Sequence, residues 1–284
     1  MLRQRVITAL ALLAILLPAL FYPSTEPFAA VVLVLMAAAA WEWGRLNGLG
    51  AGFSVLLGVV CTVLCGATWR LGGLQLDWST AWLLGGAAWV LASVSLLRSG
   101  VAGWPRWPLM LRLILGVAVL WLAWLAAVQA RQIGINFLLS TLLLVWAADI
   151  CAYFAGRAFG LKFTQARLAP SISPGKSWEG VWGALLGVCL MAVVWVYADG
   201  RWAASVPSLF TRMASVGWWM LVLGTVFLVA MSVVGDLMES LIKRSAGVKD
   251  SSGLLPGHGG VLDRVDALLP TLPLAMMLSS WATR

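Results

Sequence analysis

Residues 134–156 read G-I-N-F-L-L-S-T-L-L-L-V-W-A-A-D-I-C-A-Y-F-A-G, with Asp149 as the one charged side chain. A run of about 20 apolar residues spans the hydrocarbon of a bilayer as a helix. Helices apolar on every side need lipid or deep burial around them. The segment is therefore read as a membrane span, and eight more of the same kind lie at about 6–22, 28–46, 51–69, 80–97, 110–129, 178–198, 217–238 and 262–281. The whole chain agrees: 62% of its 284 residues are hydrophobic and only 11% charged, for a mean hydropathy of +0.94. A soluble protein with a large core would need polar helix faces, which are missing. The expected fold class is an all-α polytopic membrane protein of about nine transmembrane helices.

Basic residues predict its orientation, because they accumulate on the cytoplasmic side of such proteins. With the N-terminus cytoplasmic, fourteen of the 19 basic residues fall inside, among them Arg3, Arg5, Arg157, Lys176, Lys243 and Arg264. The other five, Arg70, Arg131, Arg201, Arg212 and Arg284, fall outside. The net charge of +8 then reflects topology and contact with anionic lipid, not nucleic-acid binding. The first span resembles a signal peptide, but Pro18, Phe21, Tyr22 and Pro23 stand where a small-x-small cleavage site would be, so it is read as uncleaved. Cys61, Cys65, Cys151 and Cys189 all sit within spans and read as packing residues. Tryptophans near span ends (Trp69, Trp78, Trp104, Trp107, Trp202, Trp281) are expected to form interfacial belts.

No linker or soluble domain interrupts residues 1–284, which are read as a single integral membrane domain. Spans up to residue 130 look like scaffold, with Glu42 and Arg45 as an interfacial salt bridge at i,i+3. Residues 134–284 look like the catalytic half, because polar groups gather there at the cytoplasmic span ends. On the sixth span, Asp149, Tyr153, Gly156 and Gly160 share one helical face. They form either a polar stripe that admits a ligand or a structural contact with small-residue packing. Next comes Ser171-Ile-Ser173-Pro-Gly-Lys176-Ser177-Trp178-Glu179-Gly180. Ser173-Pro174 is expected to start a turn, Ser177 or Ser173 to cap the seventh helix, and Lys176 to flank an anion site there.

The eighth span closes with Asp236, Glu239, Ser240 and Lys243 on about a third of the helix circumference. Carboxylates and a hydroxyl are hard oxygen ligands that suit Mg2+. Lys243 would neutralise Asp236 or bind an anion. Lys249-Asp250 follows, then a glycine turn around His258, the only histidine, and the pair Asp263 and Asp266 at i,i+3. In a membrane protein such a cluster marks a functional site. Carboxylates facing Lys and Arg, without a nucleophilic Cys or a Ser/His/Asp pattern, point to metal-assisted chemistry on phosphates.

Ser240, Lys243-Arg244, Lys249-Asp250, Pro256, His258-Gly259-Gly260, Asp263-Arg264 and Asp266 stand at the spacings of the phosphatidate cytidylyltransferase signature. The chain resembles that family over about residues 140–270, with Asp149…Tyr153…Gly156-Arg157 and Gly235-Asp236…Glu239-Ser240 also alike. It departs where the family usually has Lys and Thr, at Gly175 and Ser177; the lost lysine is expected to weaken one phosphate contact.

The resemblance implies transfer of a cytidylyl group from CTP to phosphatidic acid, giving CDP-diacylglycerol and pyrophosphate. It implies a Mg2+-dependent site, with a second metal ion in paired-metal form. Asp236 and Asp263 are the expected metal ligands, with Asp266 and Asp250 as further ligands or orienting carboxylates. Lys176, Lys243, Arg244, Lys249 and Arg264 would hold substrate phosphates, and Ser173 and Ser240 would join them in substrate binding. His258 would be a phosphate contact or proton carrier, with Asp149 and Tyr153 completing the wall. The expected partners are CTP, phosphatidic acid, the bilayer and a second copy in a homodimer. The expected location is a bacterial inner membrane with the site facing the cytoplasm. The rivals are a CTP-dependent polyprenol kinase, which would release CDP in place of pyrophosphate, and a transporter, which would carry its charges near mid-bilayer in repeated halves.

Overall fold

The computed structural model describes residues 2–282. Among these, nine helices are long and apolar enough to cross a membrane. In chain order the helices are α1 (Leu2–Phe21), α2 (Glu26–Leu46), α3 (Ala51–Arg70), α4 (Ser79–Ser99), α5 (Leu109–Ile133), α6 (Ile135–Phe159), α7 (Trp178–Arg201), the short α8 (Leu209–Val216), α9 (Trp218–Ser245), α10 (Leu262–Val265) and α11 (Leu268–Ala282). The ninth span, Leu262–Ala282, is made of α10 and α11 together. The protein is an all-α polytopic membrane protein. Of the residues used above to read orientation, Arg284 lies outside the described residues.

Large apolar side chains point away from the bundle: Val34, Phe53, Leu84, Leu190 and Val194 are each more than half exposed. In water that surface would be strongly unfavourable; in lipid it is the expected exterior. The interior is built from α5, α9 and α11 with their neighbours, around fully buried Trp124, Phe137, Leu125 and Leu228. Trp124 donates its indole N–H to the Ala29 carbonyl of α2 at 3.0 Å, so the largest core side chain leaves no orphaned donor. At the end opposite the motifs, buried Arg131 donates Nε–H to the Leu20 carbonyl (2.8 Å) and Nη2–H to that of Tyr22 (2.7 Å). These are the last carbonyls around the end of α1, which have no intrahelical partner.

Three local features differ from the sequence reading. The segment between α6 and α7 is a small antiparallel hairpin, β1 (Arg167–Ala169) with β2 (Ser173–Ser177), registered Arg167 to Ser177 and Ala169 to Ser173. Ser173-Pro174 therefore lies in a strand and does not start a turn. The strand is an edge, where a proline's missing N–H costs no ladder bond. Second, the last span breaks between Val265 and Leu268, four residues after it begins. Pro270 has no N–H to return to the carbonyl four residues earlier, that of Asp266. That carbonyl packs instead onto α9, where a Cβ at Gly235 would stand 2.6 Å from it. Third, Trp104, expected in an interfacial belt, is buried; its indole donates to Asn47 Oδ1 at 3.2 Å and stacks on Trp107. Trp202 and Trp281 are exposed, as a belt requires.

Candidate active site

Two helices must approach closely before their polar residues can share a cavity. Gly180, Gly183 and Gly187 make a stripe on one face of α7, and any Cβ there would crowd α6. At Gly180 it would stand 3.1 Å from the Ala152 carbonyl, at Gly183 3.2 Å from that of Cys151, and at Gly187 it would collide with the Cys151 sulfur. This spacing was readable in the sequence and went unused. Ser177 opens α7 in extended geometry, and its hydroxyl accepts the Gly180 N–H at 3.2 Å, so of the two serines it is the cap. Glu179, buried in the first turn, accepts the N–H groups of Phe163 (3.2 Å) and Thr164 (2.8 Å) and the Thr164 hydroxyl (2.8 Å). It ties the segment leaving α6 to the start of α7.

The result is a cavity of about 460 Å3 lined by Asp149, Tyr153 and Arg157 of α6, Lys176 of β2, Gly180 of α7 and Asp236 of α9. The stripe read on the sixth span, Asp149, Tyr153 and Gly156, does line it. Small-residue packing, the alternative reading of that stripe, holds as well. Lys176 Nζ lies 2.5 Å from Asp236 Oδ2, and Ser240 donates its hydroxyl to Asp236 Oδ1 at 3.3 Å. The Tyr153 hydroxyl accepts from Arg157 at 3.0 Å on the open side. Asp149, Asp236 and Asp266 are within electrostatic reach of one another, and Lys176 and Arg264 act on Asp149.

A larger cavity, about 800 Å3, lies at the opposite end of the bundle beside Asn136 and Asp199. Its polar groups satisfy each other: Asn136 donates to Asp199 Oδ1, and Asp199 Oδ2 accepts from Ser208 and Thr211. The smaller cavity, with charges facing space, is the candidate site.

Behind it runs a second charged cluster. Lys243 does not pair with Asp236. Its ammonium bridges Glu239 and Asp263, the latter at 2.5 Å. The other Asp263 oxygen accepts the Ser251 N–H (2.9 Å) and the Gly260 N–H (2.7 Å), and shares the single Ser251 hydroxyl proton (2.9 Å) with Glu42. Gly257 and Gly259 hold φ of +76° and +84°, a region glycine enters without strain. A Cβ at Gly259 would stand 2.6 Å from Asp263 Oδ2, so the turn needs glycine for space as well. His258 sits in this turn, partly buried, and its Nδ1 is buried without a hydrogen-bond partner among the described residues. Arg244 donates to the carbonyls of Ile172 and Val248, each at 3.4 Å, and so braces the hairpin against α9. Lys249 and Asp250 are exposed on the loop. Of the expected site residues, only Asp149, Tyr153, Lys176 and Asp236 line the cavity; Ser173, Lys249 and Asp250 do not, and Ser240, Lys243, Arg244, His258, Asp263, Arg264 and Asp266 stand behind its lining.

The sequence reading missed Glu42. It forms no salt bridge with Arg45, whose guanidinium lies 4.9 Å above the Trp41 ring. Glu42 is fully buried and reaches the motif loop, where it accepts from Ser251, Ser252, Val261 and Leu262. The available signal was its place at a span end among small and aromatic residues, with no polar neighbour but Arg45.

The sequence model of the cytidylyltransferase family matches residues 3–281. The chain belongs to that family. Among curated relatives, the phosphatidate cytidylyltransferase of Pseudomonas aeruginosa is 40% identical, over 99% of this chain and 98% of its own length. That of Haemophilus influenzae is 35% identical over 96% of each chain. That of Brucella suis is 34% identical over 98% of this chain and 93% of its own. The cavity thus belongs to a cytidylyltransferase-family membrane protein, a class of CTP-using nucleotidyltransferases for which a divalent metal is generic.

Proposed function

We propose that this protein transfers the cytidylyl group of CTP to phosphatidic acid, giving CDP-diacylglycerol and pyrophosphate. The observation that carries the reading is the Lys176–Asp236 pair, set with Asp149 in a polar cavity at one end of a lipid-embedded bundle. A cavity so placed admits a soluble nucleotide and a headgroup together. Family membership and the names of the relatives support the specific reaction.

An oxygen of the lipid phosphate attacks the α-phosphorus of CTP, and the bond from that phosphorus to the bridging oxygen of the β-phosphate breaks. Pyrophosphate leaves with the electron pair. The lipid phosphate is already an anion, so no side chain has to serve as nucleophile. We assign phosphate oxygens to Lys176 and Arg157, which line the cavity, and to Arg264, within electrostatic reach of Asp149; such positioning is most of what phosphoryl-type transfer requires. Lys243 and Arg244 stand behind them, and we assign His258 a phosphate contact made when the glycine turn opens its buried Nδ1, which has no hydrogen-bond partner among the described residues.

Among the described residues no three His, Cys, Asp or Glu side chains gather as a metal site. The donors nonetheless suit a hard cation. Asp236, within electrostatic reach of Asp149 and Asp266, already holds one positive charge, the Lys176 ammonium. We assign Mg2+ to Asp236 and Asp266. Asp263 joins them as a ligand where the Lys243 ammonium gives up its oxygen. Bound there, the ion neutralises charge on the transferring phosphates. We place the site on the cytoplasmic face of a bacterial inner membrane; nine alternating spans bring fourteen basic residues to the site end, as the positive-inside rule requires.

The test uses purified protein in micelles with phosphatidic acid and CTP labelled at the α-phosphate, with and without Mg2+. Label entering the lipid with release of pyrophosphate supports the reading. Label staying in water as CDP, with the γ-phosphate moving to a lipid, establishes a CTP-dependent kinase in its place.

A further inference from the structure

Glu42 lies in α2, far from the motif in sequence, yet it holds both ends of the motif loop. Its Oε1 accepts the Ser252 hydroxyl at 2.5 Å and the Val261 N–H at 2.9 Å. Its Oε2 accepts the Ser251 hydroxyl at 3.1 Å and the Leu262 N–H at 2.8 Å. The serines open the loop and the two amides close it, where the chain enters α10. Amides at such a start have no partner within the helix. The contact is tight: a Cβ at Gly260 would overlap both the Glu42 carboxylate and Ser251 Oγ. α1 touches the same loop less firmly, through the Thr8 hydroxyl donating to the Pro256 carbonyl at 2.9 Å.

The loop conformation decides where the charges after it stand. Ser251, itself a Glu42 contact, and Gly260, beside one, are also the groups that fix Asp263. Asp263 in turn shares Lys243 with Glu239. Arg264 follows on α10 and Asp266 just after it, within electrostatic reach of Asp149 and Asp236 at the cavity. We propose that Glu42 is a positioning residue: by gripping both ends of the Ser251–Leu262 loop it sets Asp263, Arg264 and Asp266 against the Lys176–Asp236 cavity and so controls turnover. The inference rests on reading that cavity as the site of cytidylyl transfer.

A carboxylate is required, not merely a polar group of that size. Val261 and Leu262 each donate to a different oxygen, and a backbone N–H cannot reverse its role. A glutamine must turn its NH2 toward one of them, leaving a buried donor facing a donor. In the other direction, an aspartate is one methylene too short to reach both ends.

The experiment compares wild type, Glu42→Gln and Met36→Ala, each as the full chain in detergent. Met36 is buried in α2 away from the loop and serves as a control for lost packing. Steady-state kinetics and hydrogen exchange over residues 250–264 are read together. For Glu42→Gln we expect faster exchange confined to the loop and kcat about 10–100-fold lower, as for loss of other groups that orient ligating side chains, with KM for CTP changing far less. Met36→Ala should lower the Tm and leave kcat per folded molecule unchanged. A Glu42→Gln enzyme with wild-type kcat, or one that loses no more than Met36→Ala, overturns the proposal. Should Glu42→Gln not assemble, Ser252→Ala and Gly260→Ala disturb the same contact from the loop side, and normal kcat in both overturns it equally. If wild type transfers no label, the cytidylyl reading fails on its own, while exchange in the loop still decides whether Glu42 holds it.

Discussion

Lys176 Nζ and Asp236 Oδ2 meet at 2.5 Å, closing the gap between the hairpin before α7 and the later turns of α9. Both side chains keep about a quarter to a third of their surface exposed, so the pair is open to a ligand. An exposed pair adds little stability by itself. Its worth is that the partners can separate, the lysine to a phosphate and the aspartate to a cation.

Lys176→Met should therefore lower kcat/KM by about 10²–10³, the usual cost of losing one stabiliser of transition-state charge. The Tm should barely move. Asp236→Asn should be comparably inactive, and the double variant should lose much less than the product of the two losses, because the residues act as a unit. Initial rates over a CTP titration decide this, and full additivity would show that the two residues contribute independently and not as a unit.

Metal removal gives a second prediction. Chelation with EDTA should abolish transfer and Mg2+ should restore it. Asp266→Asn should raise the Mg2+ concentration needed for half-maximal rate if Asp266 is a ligand. An unchanged Mg2+ titration in that variant would remove Asp266 from the ligand set.

The glycine stripe of α7 can be tested by size. Gly183→Val places branched atoms against Ala155 and the Cys151 carbonyl. Overpacking of this kind costs about 1–3 kcal/mol, seen as a lower Tm in detergent. Because α6 carries Asp149 and the start of α7 follows Lys176, activity per folded molecule should fall too.

Arg131 offers the contrast. Arg131→Met leaves the Leu20 and Tyr22 carbonyls without these donors, at a cost of about 1–3 kcal/mol. Being at the far end, it should lower the Tm and leave kcat/KM intact. A large kinetic effect would show that the two ends are coupled.

Orientation can be read by labelling in spheroplasts. In a background without Cys61, Cys65, Cys151 and Cys189, a cysteine at Lys162 should stay protected from a membrane-impermeant reagent. A cysteine at Ala204 should react. The reverse pattern would invert the topology.

The sequence carried the spans and the motif for a physical reason: a bilayer demands apolar runs of fixed length, and each span declares itself locally. Nine were readable, and their limits agree with the helices to within about two turns, α9 running on to Ser245 and the last span breaking into α10 and α11. The shared face of Asp149, Tyr153 and Gly156 on α6 was readable from helical periodicity, and the cap of α7 was narrowed to Ser177 or Ser173 by local hydrogen-bonding preference, with the choice between them left to the fold. Pairings among charges were not. Asp236, Glu239 and Lys243 share one face of α9, but which lysine meets which carboxylate depends on where β2 and α10 come to lie.

Sequence by itself thus determined an α-helical membrane bundle with the charged motif of its family in the second half, because hydropathy and motif spacing are properties of neighbouring residues. Only tertiary structure decided that Lys176 takes Asp236, that Lys243 takes Glu239 and Asp263, and that Glu42 of the second span holds the loop of the last. Those bonds join residues up to 220 positions apart. A buried carboxylate binds whichever donors packing brings to it, and no local pattern records which ones those will be.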